Sequence, residues 1–224
     1  TDPYQPIEKR YRITRQILEV MLEVRHPVVI TTKSNRVVED IDLLVQLAVQ
    51  QLTAVAISVT TLDSTTARLL EPRAPAPARR LDAVRKLSEA GIYVHVNIAP
   101  VVPGITDHEI EAIVAAAADC GASSVSFIPM RLPHEVAPLF EQWLESHYPE
   151  RNSKVMSIVR QMRGGKRNDP EFHSRMRGQG PWADLIRTRI GIASRKAGLN
   201  RGKIKLRTDL FQRPIITGSQ MELF

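Results

Sequence analysis

Ala54-Val55-Ala56-Ile57-Ser58-Val59-Thr60 reads as one strand with two unlike faces. Alternate side chains of a strand point to opposite sides. Val55, Ile57 and Val59 therefore share one side, while Ala54, Ala56, Ser58 and Thr60 share the other. A strand of an open parallel sheet, covered by helices on both sides, reads as apolar throughout. Here one side can pack helices and the other carries small and polar groups suited to a wet lumen. Residues 93–99 repeat the pattern, with Val94, Val96 and Ile98 against Tyr93, His95, Asn97 and Ala99. Residues 28–33 repeat it again, with Val28, Ile30 and Thr32 against Val29, Thr31 and Lys33. A fourth β-rich run covers residues 123–128.

Helix-period stretches separate these runs. Ile13, Ile17, Met21 and Val24 form a stripe before the first, and Ile41, Leu44, Leu47 and Ala48 before the second. Leu81, Val84 and Leu87 precede the third, with Gly91 placed to end that helix. Thr106 and Glu109 have the spacing of a capping box for the helix before the fourth. Its stripe is Ile110, Ile113, Val114 and Ala117, and Gly121 ends it. The alternation predicts parallel βα units. With the unlike strand faces, it predicts an α/β fold: an incomplete parallel (β/α) barrel around a ligand.

Residues 71–77 hold three prolines and read as a loop. After Arg131 the βα rhythm stops. Helices are expected over residues 135–147, 155–162 and 181–196, with a basic, turn-rich stretch at 163–170. From Asn200 an extended or disordered tail is expected. The expected domains are residues 1–132 as barrel, 133–200 as helical, basic extension and 201–224 as tail.

The formal net charge of +7 is unevenly spread. Residues 151–224 hold 17 Lys+Arg against 5 Asp+Glu, so the first 150 residues are net acidic. That concentration points to an anionic partner, nucleic acid ahead of membrane; a solvated basic face is the plainer alternative. A single cysteine, Cys120, excludes an internal disulfide and argues for a reducing, cytoplasmic setting. It also excludes a self-sufficient iron–sulfur site, which takes several thiolates. No apolar run approaches the ~20 residues of a membrane span. The histidines lack HxxH and HExxH spacing, so no metal site is expected in this chain.

Several residues are placed to bind. Lys33 ends the first strand at its carboxyl end, where α/β barrels put their sites. Its ammonium suits a ligand carboxylate or phosphate; a solvated loop lysine is the ordinary alternative. Ser58 and Thr60 can bind a ribose or carboxylate, or be satisfied core hydroxyls. His95 and Asn97 are the other polar lumen candidates, although a lone strand histidine is more often a hydrogen-bonded core residue. Arg73 can reach a phosphate over the barrel mouth or pair with Glu71. Cys120 reads as a buried structural thiol.

Three stretches carry a resemblance: Thr1-Asp2-Pro3-Tyr4-Gln5-Pro6-Ile7-Glu8, Ile57-Ser58-Val59-Thr60-Thr61, and Ala99-Pro100-Val101-Val102-Pro103-Gly104-Ile105-Thr106-Asp107. In that order they resemble the radical S-adenosylmethionine (radical SAM) superfamily, in its spore photoproduct lyase-like, DNA repair photolyase branch. The resemblance implies S-adenosylmethionine and a [4Fe–4S] cluster as cofactors, with a nucleic-acid-related substrate. It also implies that Thr1 and Asp2 meet the cofactor's amino group and Lys33 its carboxylate. Ser58, Thr60 and Asn97 would contact ribose and carboxylate, and Val102, Pro103 and Gly104 would support adenine. The substrate side would involve Tyr4, Arg73, His95 and Arg131. The family's CxxxCxxC motif is missing from these residues, so the chain looks like an enzyme without its metal-binding start and should be inactive alone.

Gln220-Met221-Glu222-Leu223-Phe224 resembles the pentapeptide that docks bacterial repair and replication proteins on the sliding clamp. Gln220 would fill a polar pocket, and Leu223 and Phe224 an apolar cleft. Two other readings stand beside the first: a non-catalytic DNA-associated module, and an iron-free barrel enzyme for a phosphorylated metabolite.

Overall fold

A computed structural model describes residues 2–171, 174–200, 202 and 204–214. Two helices, α1 (Glu8–Tyr11) and α2 (Ile13–Glu23), lead into strand β1 (Val28–Thr32). Then come α3 (Ile41–Val49), β2 (Thr53–Ser58), α4 (Ser64–Leu70), α5 (Pro77–Glu89), β3 (Val94–Val101), α6 (Ile110–Asp119) and β4 (Ser124–Pro129). The strands pair in sequence order, β1-β2-β3-β4, and every pairing is parallel. Parallel neighbours need crossovers, and α3, α5 and α6 supply them. The result is a partial barrel of the expected α/β kind.

The two-faced reading holds for β1 and β3 but not for β2, which lies inside the sheet and is buried on both faces, with Ala54, Ala56 and Ser58 at most 8% exposed. Ile30, Val55, Ile57, Val94, Val96, Ile98 and Val125 are at most 5% exposed. They pack in one core with Leu44 and Leu47 of α3, Val84 and Leu87 of α5, and Ile110, Ile113, Val114 and Ala117 of α6. On the other face Val29, Thr31 and Ser126 are exposed, whereas Ser58 is 6% exposed. Gly91 and Gly121 follow α5 and α6 in the left-handed region, at φ +80° and +82°. At Gly121 a Cβ would meet the Ser88 hydroxyl at 2.5 Å, so the glycine also permits a close helix contact.

Three local expectations change. The α2 stripe faces differently: Leu18 is 1% exposed, while Ile13 and Ile17 are 51% and 48% exposed. β1 is the sheet edge, so α2 has α3 as its neighbour on one side only. Helix α4 was not expected, because Ser64-Thr65-Thr66 is a weak helical start. Asp63 nucleates it by accepting from the Thr65 and Thr66 amides at 3.2 and 2.8 Å. Thr106 and Glu109 form no capping box. Thr106 Oγ1 instead accepts from the Val102 amide at 2.9 Å. Glu109 bonds the Thr61 hydroxyl and accepts from the Leu62 amide at 2.6 Å.

Beyond the sheet lie α7 (Val136–His147), α8 (Pro149–Gln161) and α9 (Pro181–Lys196). α8 begins six residues before its expected start because Pro149 occupies its first turn, where the missing N–H costs nothing. α7 and α8 build a second core with Val102, Ile105, Met130 and Leu132. α9 does not belong to that unit alone: its Ile186, Ile190 and Ala193 join the barrel core. The described residues after Leu199 form no helix or strand and are tied to the barrel by hydrogen bonds. Asn200 bonds both backbone groups of Val125, and the Arg207 and Gln212 amides donate to Gln51 and Val24 at 3.0 and 2.9 Å. Among the described residues no helix is long and apolar enough to cross a membrane.

Candidate functional site

Parallel register assembles the lumen residues into rows. Ser58 pairs with Asn97, and Asn97 with Ser126. Lys33 follows Thr32, whose partner is Ile57, and so extends the same row past the end of β1. The Ser126 hydroxyl donates to Asn97 Oδ1 at 3.2 Å. Nearer the strand starts, Thr31, Ala56, His95 and Ser124 make a second row. There the His95 ring nitrogens lie 2.7 Å from the Ser124 and Ser126 hydroxyls, and the Tyr93 hydroxyl donates to Ser124 at 2.9 Å. Burial pushes the His95 pKa down, so its imidazole is neutral at pH 7, with one ring nitrogen donating and the other accepting. This lower row borders a cavity of about 570 Å3, with Val29, Ala54 and Asn200 in its wall.

At the carboxyl ends of β1 and β2 sits a charged cluster that the sequence did not announce. Glu71 pairs with Lys33 through one oxygen and with Arg80 through the other, the latter at 2.6 Å. The Thr60 hydroxyl bonds Glu71 at 3.1 Å and the Ala99 carbonyl at 3.0 Å. Arg80 is only 2% exposed and also donates to the Pro75 and Ser58 carbonyls at 2.8 and 3.2 Å. Burial alone would raise the Glu71 carboxyl, but Arg80 and Lys33 more than offset it and hold its pKa below the usual value. Arg80 lies on the α5 stripe with Val84 and Leu87. A lone arginine on an apolar stripe is the signal that sequence reading could have used.

The other expected binders divide. Asp2 reaches the end of β1, but its carboxylate is already engaged. Oδ1 accepts from the Tyr4 amide and Thr32 hydroxyl at 2.9 and 2.6 Å, and Oδ2 from the Lys33 amide at 2.7 Å. In this arrangement Asp2 latches the leading segment to β1. Tyr4 is 6% exposed, and its hydroxyl donates to Asp40 Oδ2 at 2.9 Å. Burial and that neighbouring carboxylate raise its pKa, so it is a neutral, hydrogen-bonded phenol whose remaining surface borders the cavity beside the end of β1. Val102 is fully buried and Pro103 is buried too, so neither side chain presents an open apolar surface. The reason is packing: Val102 serves the second core. Gly104 turns in the left-handed region at φ +68°, and its carbonyl accepts from Arg151 at 2.8 Å. Arg73 is exposed and does not pair with Glu71. Arg131 is half-buried beside the Met176 sulfur at 3.5 Å. Thr1, Gln220, Leu223 and Phe224 lie outside the described residues.

A [4Fe–4S] cluster does not fit the groups present. Cys120 is the sole thiol, is 6% exposed, and sits at the end of α6 within the helix-side core. Among the described residues no three His, Cys, Asp or Glu side chains gather as a metal site.

Residues 2–117 match the Radical SAM superfamily. An uncharacterized protein of Mycobacterium tuberculosis is 30% identical over 162 residues, covering 71% of this chain and 48% of that protein. An uncharacterized protein of Acidianus two-tailed virus is 36% identical over 129 residues, covering 55% of this chain and 42% of that one. The chain thus spans about half the length of these relatives. A solved spore photoproduct lyase variant superposes with a TM-score of 0.59 over 85% of this chain and 54% of its own, at 16% identity, a likeness of fold. With a family match across more than half its residues and a partial barrel of four parallel strands beneath it, the chain belongs to the radical SAM superfamily.

Proposed function

We propose that these residues form the S-adenosylmethionine-binding wall of an enzyme acting on a nucleic-acid-related substrate. The observation that carries this reading is the lumen row of Ser58, Asn97 and Ser126, extended by Lys33. Lys33, Asn97 and Ser126 keep accessible surface at the strand ends, where α/β barrels place ligands, with Ser58 buried between Lys33 and Asn97. Lys33 would bind the cofactor's carboxylate by leaving Glu71, and Ser58 and Asn97 would bind carboxylate or ribose. The Ser58 hydroxyl and the Asn97 amide nitrogen have no hydrogen-bond partner among the described residues; Asn97 is half-buried, while Ser58 is 6% exposed and would need the Lys33–Glu71 pair above it to open. Thr60 acts indirectly by holding Glu71.

S-adenosylmethionine in this family supplies radical chemistry at an iron–sulfur cluster. With one cysteine among these residues, no step through a cluster is assigned to them, and the thiolates of a working enzyme would come from another segment or chain. The single cysteine also favours a second reading, a DNA-associated module that binds without turnover. The basic carboxyl-terminal third suits a phosphate backbone in either case. DNA photoproduct repair is the substrate chemistry that the fold likeness suggests.

Calorimetric titration with S-adenosylmethionine tests the cofactor site. Saturable binding that weakens about tenfold or more in Lys33→Ala, as loss of a charge-assisted hydrogen bond would give, supports it. Equal affinities for wild type and Lys33→Ala remove Lys33 from the site.

A further inference from the structure

A second binding region lies beside the lumen row. It is a cavity of about 440 Å3 between the leading segment, the end of β1 and the proline-rich loop. Lys9, Lys33, Arg36 and Arg73 line it, and Asp2 is the acidic residue in its wall. That carboxylate is consumed by the Thr32 hydroxyl and the Tyr4 and Lys33 amides. Lys9 and Arg73 are exposed and form no ion pair among the described residues.

Arg36 is the informative group. Its side chain is 15% exposed, and one terminal nitrogen pairs with Glu39 at 2.9 Å. Its Nε and other terminal nitrogen are buried with no hydrogen-bond partner among the described residues. Buried donors without acceptors are costly and need an explanation. These two nitrogens have almost no accessible surface, so an anion in the adjoining cavity would answer them once Arg36 turns away from Glu39 toward it, and the planar guanidinium fork suits such recognition. Lys33 and Arg36 are paired with Glu71 and Glu39, which leaves Lys9 and Arg73 as the cations at the cavity without an ion pair among the described residues, a balance that favours an anionic ligand. The volume exceeds what a lone carboxylate needs and has room for a phosphate with its attached sugar.

We propose that this cavity is a phosphate subsite, in which Arg36, Arg73 and Lys9 hold a phosphate group and Lys33 stands at its border with the lumen row. The inference deepens the proposed function by giving the substrate a phosphate. S-adenosylmethionine carries none, so the two sites can be tested apart.

The test is titration of the folded protein with inorganic phosphate, a single-stranded DNA tetranucleotide and a phosphate-free nucleoside, with S-adenosylmethionine in parallel. Both phosphate probes should bind and the nucleoside should not. Arg73→Gln, on an exposed loop, should weaken the phosphate probes about tenfold, and Arg36→Gln should weaken them further. A tetranucleotide that binds more tightly than inorganic phosphate identifies a nucleic-acid backbone as the source; the reverse order identifies a free phosphate compound. Absence of saturable binding by either phosphate probe overturns the subsite, as does binding unchanged in both variants. Phosphate binding without S-adenosylmethionine binding keeps the subsite and removes the cofactor reading; the opposite result does the reverse.

Discussion

The Glu71 carboxylate lies 2.6 Å from the guanidinium of Arg80, a side chain only 2% exposed. This pair joins the proline-rich loop to α5 and, through Lys33, to the end of β1. The loop that borders the candidate site is therefore positioned by a buried ion pair.

Removing one partner of such a pair strands the other charge in the core. Arg80→Ala should destabilise the protein by about 3–5 kcal/mol, far more than Arg73→Ala on the exposed side of the same loop. Urea unfolding of both variants checks this, and similar midpoints would show that the pair does not hold the loop. The pH dependence has a fixed sign. The Glu71 pKa is lower in the folded chain than its ordinary value of 4.5. Its contribution is thus complete above that value and is lost as pH falls through the folded one. Glu71→Gln should flatten this acid limb.

His95 titrates in a different window. Burial lowers its folded pKa below the ordinary 6.5, so near and below that pH the unfolded chain binds a proton that the native chain refuses. This part of the stability is present above 6.5 and drains away as pH falls through the folded value. His95→Gln keeps a hydrogen-bonding side chain without the charge. Melting temperatures from pH 8 to pH 5 should fall more steeply for wild type than for His95→Gln, and parallel curves would contradict the assignment.

Glu109 holds the turn after β2 through the Thr61 hydroxyl and the Leu62 and Asp63 amides. Charge-assisted bonds of this kind are worth about 1.5–3 kcal/mol each at most. Glu109→Ala should lower stability by about 2 kcal/mol and speed hydrogen exchange at the Leu62 amide. Glu109→Gln should recover part of both. A neutral effect of Glu109→Ala would show that these bonds do not hold the turn.

Anaerobic reconstitution of the 224-residue chain with iron and sulfide should leave no stable cluster absorbance, since Cys120 is its one thiol. Recovery of about four irons per chain, stably bound, would require ligands that cysteine counting does not reveal.

Binding of duplex DNA should fall steeply with salt and show little sequence preference, because exposed cations among the 17 Lys+Arg of residues 151–224 would meet phosphates. Fluorescence anisotropy at two salt concentrations reads this, and salt-independent binding would point to another mode. A peptide of the last five residues should compete for a bacterial sliding clamp and lose about 2–3 kcal/mol on Phe224→Ala. No competition at high peptide concentration would end that proposal.

The sequence by itself determined the two-faced strands, the helices between them and the rows they imply. Val55, Ile57 and Val59 alternate with Ala54, Ala56 and Ser58 because backbone geometry imposes a period of two. The same locality makes the α6 stripe of Ile110, Ile113, Val114 and Ala117 legible. It also placed Lys33, Ser58 and Asn97 on one face, which the register then brought into a single row. Contacts between distant residues were decided only by tertiary structure. Glu71 meets Lys33 and Arg80, Glu109 meets Thr61, Tyr4 meets Asp40, and Val102 turns into a second core. Each depends on where a loop carries its side chain after the sheet has formed, and no periodicity encodes that path. The exposure of Ile13 and Ile17 has the same origin, since whether an apolar stripe is covered depends on the neighbours the assembled sheet gives it.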